Sequence, residues 1–194
     1  MIKKFLQFIP LCRGKKNRAF TLVETLVAIS IFTMSILGLM SVLASGISNT
    51  NYAKNKIIAS YLAQEGIEYI RNMRDSYVLY ATNGTWNNFK SKLASCNSGG
   101  NECGFNTVLY SFPLDNDFIK KCNTGLICNV YLDNGTYHTN EGASGVDSGF
   151  VRKIWMTTYT GVNDEVQISS SVSWTQGSGN YNITFSENLF NWTE

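Results

Sequence analysis

Apolar residues run almost unbroken from Phe20 to Leu43, and Glu24 is the sole charge in the run. As a helix rising 1.5 Å per residue, the run reaches about 36 Å, enough to cross a hydrocarbon core of about 30 Å. Thr21, Ser30, Thr33, Ser35 and Ser41 are small hydroxyl residues that bond back to a helix or to a neighbour. The pattern then becomes amphipathic. Ala59, Ala63, Ile67, Ile70, Met73 and Tyr77 recur at helical spacing, which defines one helix face. Gln64, Glu65, Glu68, Arg71 and Asp75 take much of the other side. Glu68 with Arg71, and Arg71 with Asp75, are spaced as ion pairs. No proline interrupts residues 20–80. The pattern predicts one helix from Phe20 to Asp75, roughly 80 Å long. Gly38, Gly46 and Gly66 are its weak points, at about 1 kcal/mol each against alanine.

Beyond residue 80 the period shortens. Trp86 to Leu93 reads as a short helix. Phe105 to Phe112 and Leu126 to Asp133 read as strands, and Asp133-Asn134-Gly135 before Thr136 is a strong hairpin turn. Glu141 to Gly149 reads as a Gly/Ser loop. Val166, Ile168, Val172 and Trp174 alternate with polar residues, interrupted only at Ser170, and Tyr181, Ile183 and Phe185 do the same. Gln176 to Asn180 is the turn between these two strands. Phe150 to Tyr159 is mixed. A long N-terminal helix followed by antiparallel strands predicts an α+β fold with the helix laid on one sheet face.

Charge divides the chain sharply. Residues 1–19 carry six basic side chains (Lys3, Lys4, Arg13, Lys15, Lys16, Arg18) and no acid. The other ten basic side chains stand against all fourteen acidic ones. The folded domain is therefore acidic, which argues against a nucleic-acid face beyond a small local patch. A basic cluster before an apolar span fits a cytoplasmic flank by the positive-inside rule. Four of the five cysteines, Cys96, Cys103, Cys122 and Cys128, follow the span. On the far side of a membrane they suggest two disulfides in an oxidising compartment. Zinc is the rival, but the gaps do not match its short paired knuckles. Local pairing is the simplest of three connectivities, and spacing does not choose among them.

Glu24 is the anomaly. Near the membrane centre a carboxylate costs about 2.5–3.5 kcal/mol or more. Near the cytoplasmic end snorkelling lowers that cost, and the side chain either simply reaches the interface or pairs with a positive group on another subunit. The junction Ala19-Phe20-Thr21-Leu22-Val23-Glu24, after a basic leader and before a continuous apolar helix, resembles the class III signal of type IV prepilins and pseudopilins. The residue before the cut is usually glycine in that family and is Ala19 here. Ala63 to Ser76 is similar to the corresponding stretch of bacterial minor pilin-like proteins. The resemblance implies cleavage after Ala19 by a prepilin peptidase and N-methylation of Phe20 by the same type of enzyme. It also implies pairing of Glu24 with the amino terminus of an adjacent pilin, which offsets the cost of the carboxylate. The implied fold is pilin-like, α+β, with the first half of the long helix transmembrane. The chain then divides into a basic prepilin leader (1–19), a transmembrane and filament-core helix (20–44), its amphipathic continuation (45–80), a variable region with short strands and cysteines (81–149) and a C-terminal antiparallel sheet (150–194).

Catalytic chemistry has few candidates, and none is assigned. His138 is the single histidine and is expected on an exposed strand after the hairpin. No phosphate-binding glycine loop or histidine metal cluster is present. Asp115-x-Asp117 and Asn163-Asp164-Glu165 have the composition of calcium loops, but acidic turns without a metal are commoner. No cofactor or metal is expected. Asn83, Asn134, Asn182 and Asn191 begin Asn-x-Thr sequons, and Trp86, Trp155 and Trp192 are candidate adhesive aromatics whose ordinary role is core packing. The resulting expectation is a non-enzymatic minor type IV pilin. Its partners are other pilin subunits, the peptidase, the inner-membrane assembly platform and, before assembly, the lipid bilayer. As precursor it sits in the inner membrane with a cytoplasmic N-terminus, and after assembly in a surface filament. The alternatives are a pseudopilin of type II secretion or DNA uptake, and a single-pass anchored binding domain that never polymerises.

Overall fold

The computed structural model describes residues 21–79, 85–107, 118–122, 127–139 and 145–191. The chain forms two compact units, Met1–Ser48 and Asn49–Glu194. The helix α1 (Leu22–Leu79) supplies the described residues of the first unit from Leu22 on. There every described side chain is exposed, and the stretch is long and apolar enough to cross a membrane. In the second unit α1 buries Ala59, Leu62, Ala63, Gly66, Ile67, Ile70, Met73 and Tyr77. All six periodic positions of the sequence are in that set. The helix continues past Asp75 to Leu79, with Tyr77 in the core.

The other elements are α2 (Trp86–Leu93), β1 (Cys103–Phe105), β2 (Ile119–Lys121), β3 (Asn129–Asp133), β4 (Thr136–His138), β5 (Val146–Thr158), β6 (Glu165–Gln176) and β7 (Gly179–Phe190). The chain is α+β, a long helix packed on an antiparallel sheet, as in the pilin fold. Thr85 caps α2 by accepting the Asn88 N–H, and Lys90 and Lys92 lie in its last turn, where the helix dipole favours cations. At the β3–β4 turn Asn134 and Gly135 both take positive φ (50° and 82°), as a type I′ hairpin requires.

β5 organises the sheet. One edge pairs with β6 from Phe150↔Trp174 to Thr158↔Val166, and β6 in turn pairs with β7. The other edge is shared, with β3 on its first half and β1 meeting it at Cys103↔Ile154. Three expected boundaries differ. The strand expected over Phe105–Phe112 is β1, which ends at Phe105, and residues 108–112 lie outside the described residues. The strand expected from Leu126 begins at Asn129, because Ile127 and Cys128 form a turn. The expected loop Glu141–Gly149 is strand from Val146. Its Gly/Ser composition serves a bulge instead. Ser148 and Gly149 are extra residues between Tyr131↔Asp147 and Val130↔Phe150, with Gly149 at φ 76°.

The core has two apolar clusters. One gathers Ala59, Leu62, Ala63, Val130, Phe150, Val172 and Trp174. The other gathers Ile67, Ile70, Met73 and Tyr77 with α2, Phe105, Ile154, Met156, Val166, Ile168 and Leu189. Gly66, Arg152 and Ser170 fall between them in their respective elements. A Cβ on Gly66 would lie 3.2 Å from Ser170 Cβ and 3.3 Å from Ile154 Cδ1, and would collide with Ser170 Oγ. Ser170 thus breaks the apolar alternation because the space against Gly66 of α1 admits only a small side chain there. Gly66→Ala is expected to destabilise the fold by about 1–2 kcal/mol, overpacking outweighing alanine's helix advantage. Ser170→Ala in the same chain should recover much of the loss. Urea midpoints of the two variants check both statements.

Candidate functional site

At the start of α1, Thr21 Oγ1 accepts the backbone N–H of Glu24 at 3.3 Å. Thr21 is therefore the N-cap, and Glu24 sits in the first turn, where the positive end of the helix dipole favours a carboxylate. Five of the hydroxyls that follow are satisfied within the helix. Thr25 donates to Leu22 O, Ser30 to Leu26 O, Thr33 to Ser30 O, Ser35 to Ile31 O and Ser45 to Ser41 O, at 2.7–3.0 Å. Such back-bonding makes these polar groups compatible with lipid. Among the described residues Glu24 has no side-chain hydrogen bond or ion pair. Ala19, Phe20 and the basic leader lie outside the described residues.

The four cysteines form two disulfides, Cys96–Cys103 and Cys122–Cys128. Each loop is sewn to the shared edge of β5: Arg152 N–H donates to Cys128 O and Met156 N–H to Cys96 O, both at 2.8 Å. Residues 14–47 match the family described as the prokaryotic N-terminal methylation motif. The match, confined to the N-terminal part of the chain, supports a type IV pilin-like family. No curated protein and no solved structure matches it. The motif implies processing by a prepilin peptidase and association with other pilins, and with the apolar helix it fits a membrane-anchored precursor.

In the second unit the other candidates are scattered. His138 is half-buried beside the Tyr131 ring at 6.3 Å, not exposed as expected, because β4 lies against β3. Trp86 is core, its Nε1 donating to Asn163 O at 2.7 Å, and Trp155 is half-buried. Trp192, Asn83, Asp115 and Asp117 lie outside the described residues. Among the described residues no cluster has the make-up of a metal site. Asp164 accepts from Asn191 at one side of a cleft of about 620 Å³, and Lys90 donates to Asn163 O there. Asn134 and Asn182 are exposed.

Glu102 holds the first disulfide loop. Its Oε1 accepts the N–H groups of Gly99 and Gly100 at 3.2 Å, and Lys153 lies 3.8 Å from Oε2. Burial pushes the carboxyl up, but its own N–H, those of Gly100 and Gly99 and the Lys153 ammonium together hold it below the usual glutamate value. A depressed carboxyl stabilises the fold above its unfolded pKa and loses that contribution as pH falls through the folded value. The Gly99 and Gly100 amide signals are therefore expected to titrate with a midpoint below that of an ordinary exposed glutamate, and Glu102→Gln to abolish that titration in an NMR pH series.

The residue that sequence reading missed is Arg152, 2 % exposed on the helix-facing side of β5. Its guanidinium donates to Glu65 Oε2 at 2.6 Å, to Leu62 O and to Thr139 Oγ1 at 3.3 Å, and lies 4.1 Å from the Phe105 ring centroid. Thr139 Oγ1 in turn donates to Phe105 O. Burial pulls the guanidinium down from its usual value, and Glu65 works against that. Arg71 pairs with Glu68 and, across to β7, with Glu187, rather than with Asp75, which pairs with Arg74. The signal for Arg152 was its place between Phe150 and Ile154 in a strand of otherwise alternating burial.

Proposed function

We propose that the chain is a minor type IV pilin, a structural subunit without catalytic activity. It is cut after Ala19, methylated on Phe20 and drawn from the inner membrane into a filament through its apolar helix. The observation that carries the reading is the methylation motif over residues 14–47, with Glu24 inside an otherwise uncharged helix. Glu24 is assigned to the amino terminus of the neighbouring subunit. That pairing requires the new terminus, so processing precedes assembly. The unbroken helix supports a minor subunit, since many major pilins carry a proline midway along it. The four cysteines are assigned to an oxidising exterior, with the N-terminus cytoplasmic in the precursor. Mass spectrometry of the N-terminus, in cells with and without the prepilin peptidase, tests the reading. The expected chain starts at N-methylated Phe20 only where the enzyme is present. A chain beginning at Met1 in both would sink it.

A further inference from the structure

Among the described residues β7 pairs with β6 alone, so its other edge is open over twelve residues, about 40 Å. Alternate residues along such an edge turn their N–H and C=O groups outward with no strand to meet them. Native edges are usually short, or carry lysine, proline or a bulge that turns a stray strand away. The edge strands β2 and β4 are short, at three residues each. β7 has none of these guards. Its register against β6 runs unshifted from Glu165↔Phe190 to Gln176↔Gly179, and its single ionic side chain is Glu187.

The helix-facing side of this edge is only half covered. Ile183 and Phe185, opposite Val172 and Ser170, are half-buried. Phe185 and Glu187 line a groove of about 540 Å³ with Tyr61, Ile67 and Glu68 of α1, and Tyr61 is exposed on its rim. Arg71 is shared by Glu68 and Glu187, and Glu65 is taken by Arg152, which leaves the groove one negative charge in excess.

A second copy fits this edge poorly. Its β2 and β4 are too short to cover twelve residues. An antiparallel β7–β7 pair turns one chain end for end, so that α1 enters the two sheets from opposite ends, which two chains rooted in one membrane cannot do. A parallel pair puts the Phe185 rows of the two sheets on opposite faces and leaves each groove as it was. A strand of another chain fits. Only an extended backbone presents N–H and C=O groups at the spacing of the edge, and its alternate side chains reach the groove.

We propose that the β7 edge takes up an extended strand of a different polypeptide, with apolar residues at alternate positions laid against Ile183 and Phe185 and a cation beside Glu187. The inference goes beyond subunit assembly and holds for the unassembled chain. The probe is a labelled twelve-residue peptide that alternates valine with threonine and ends in lysine, added to the full chain in detergent micelles. Saturable binding by fluorescence anisotropy is expected, with hydrogen exchange at alternate β7 amides slowed about tenfold. Methylating the peptide's backbone nitrogens removes its donors and should weaken binding about tenfold. The same peptide ending in glutamate should bind about threefold more weakly, and Glu187→Gln should erase that difference. No saturable binding, equal binding of the methylated peptide, or protection confined to strands other than β7 would overturn the proposal. So would β7 amides that become protected in the free chain as its concentration rises, since the edge would then belong to a second copy.

Discussion

Glu24→Ala is expected to be cut after Ala19 like the parent chain and then to stay out of the filament. Two effects act in the same direction. The carboxylate is costly in the membrane, by about 2.5–3.5 kcal/mol near its centre, so its removal makes the unassembled state more comfortable. On the proposed pairing, its loss leaves the neighbour's amino terminus unpaired among apolar helices in the filament, a penalty of about 3–5 kcal/mol for a buried charge. Even the lower figure is about a hundredfold in an equilibrium. Immunoblots of sheared filaments against membrane fractions read the result. Incorporation at the parent level would remove Glu24 from the mechanism, while leaving the N-terminal cleavage test independent of it.

Glu65→Ala is expected to lower stability by about 3 kcal/mol, the low end for stranding a buried charge, because Glu65 is 36 % exposed and water partly replaces it. For a chain of this size that is roughly 6–12 °C in melting temperature. Arg152→Met should cost less, since it removes the charge and keeps much of the volume. The double variant should recover most of what Glu65→Ala loses. Thermal melts of all three with the parent form a double-mutant cycle. Equal losses from the two single changes, adding in the double, would mean that the pair does not hold the waist of the core together.

Where one period runs through a segment, the sequence showed the structure. The face from Ala59 to Tyr77 was readable because six positions repeat the helical spacing, and the β6 alternation because the core lies on one side only. The type I′ turn at Asn134-Gly135 follows from residue chemistry. What stayed hidden depends on partners far along the chain. Arg152 made β5 look mixed, since a basic residue at a core position makes sense only with Glu65 on the helix and Thr139 after β4. Leu62 and Gly66 lie off the six-residue stripe, yet the sheet buries them. β1 and β2, three residues each, are too short for any periodicity and are set by their neighbours and the Cys96–Cys103 bond. Of the candidate site, Glu24 was legible as a charge out of place, but the pairing of Arg71 with Glu187 of β7 was not.

The two cysteine loops have a consequence for biogenesis. Both are tied to the same edge of β5, through Cys96 O and Cys128 O. An uncovered strand edge is a template for pairing with other chains. Oxidation therefore does more than constrain the unfolded chain: it pins the loops that carry β1 and β3 onto this edge of β5. A copy whose thiols are kept reduced is expected to hold β1 and β3 less firmly and to aggregate more readily.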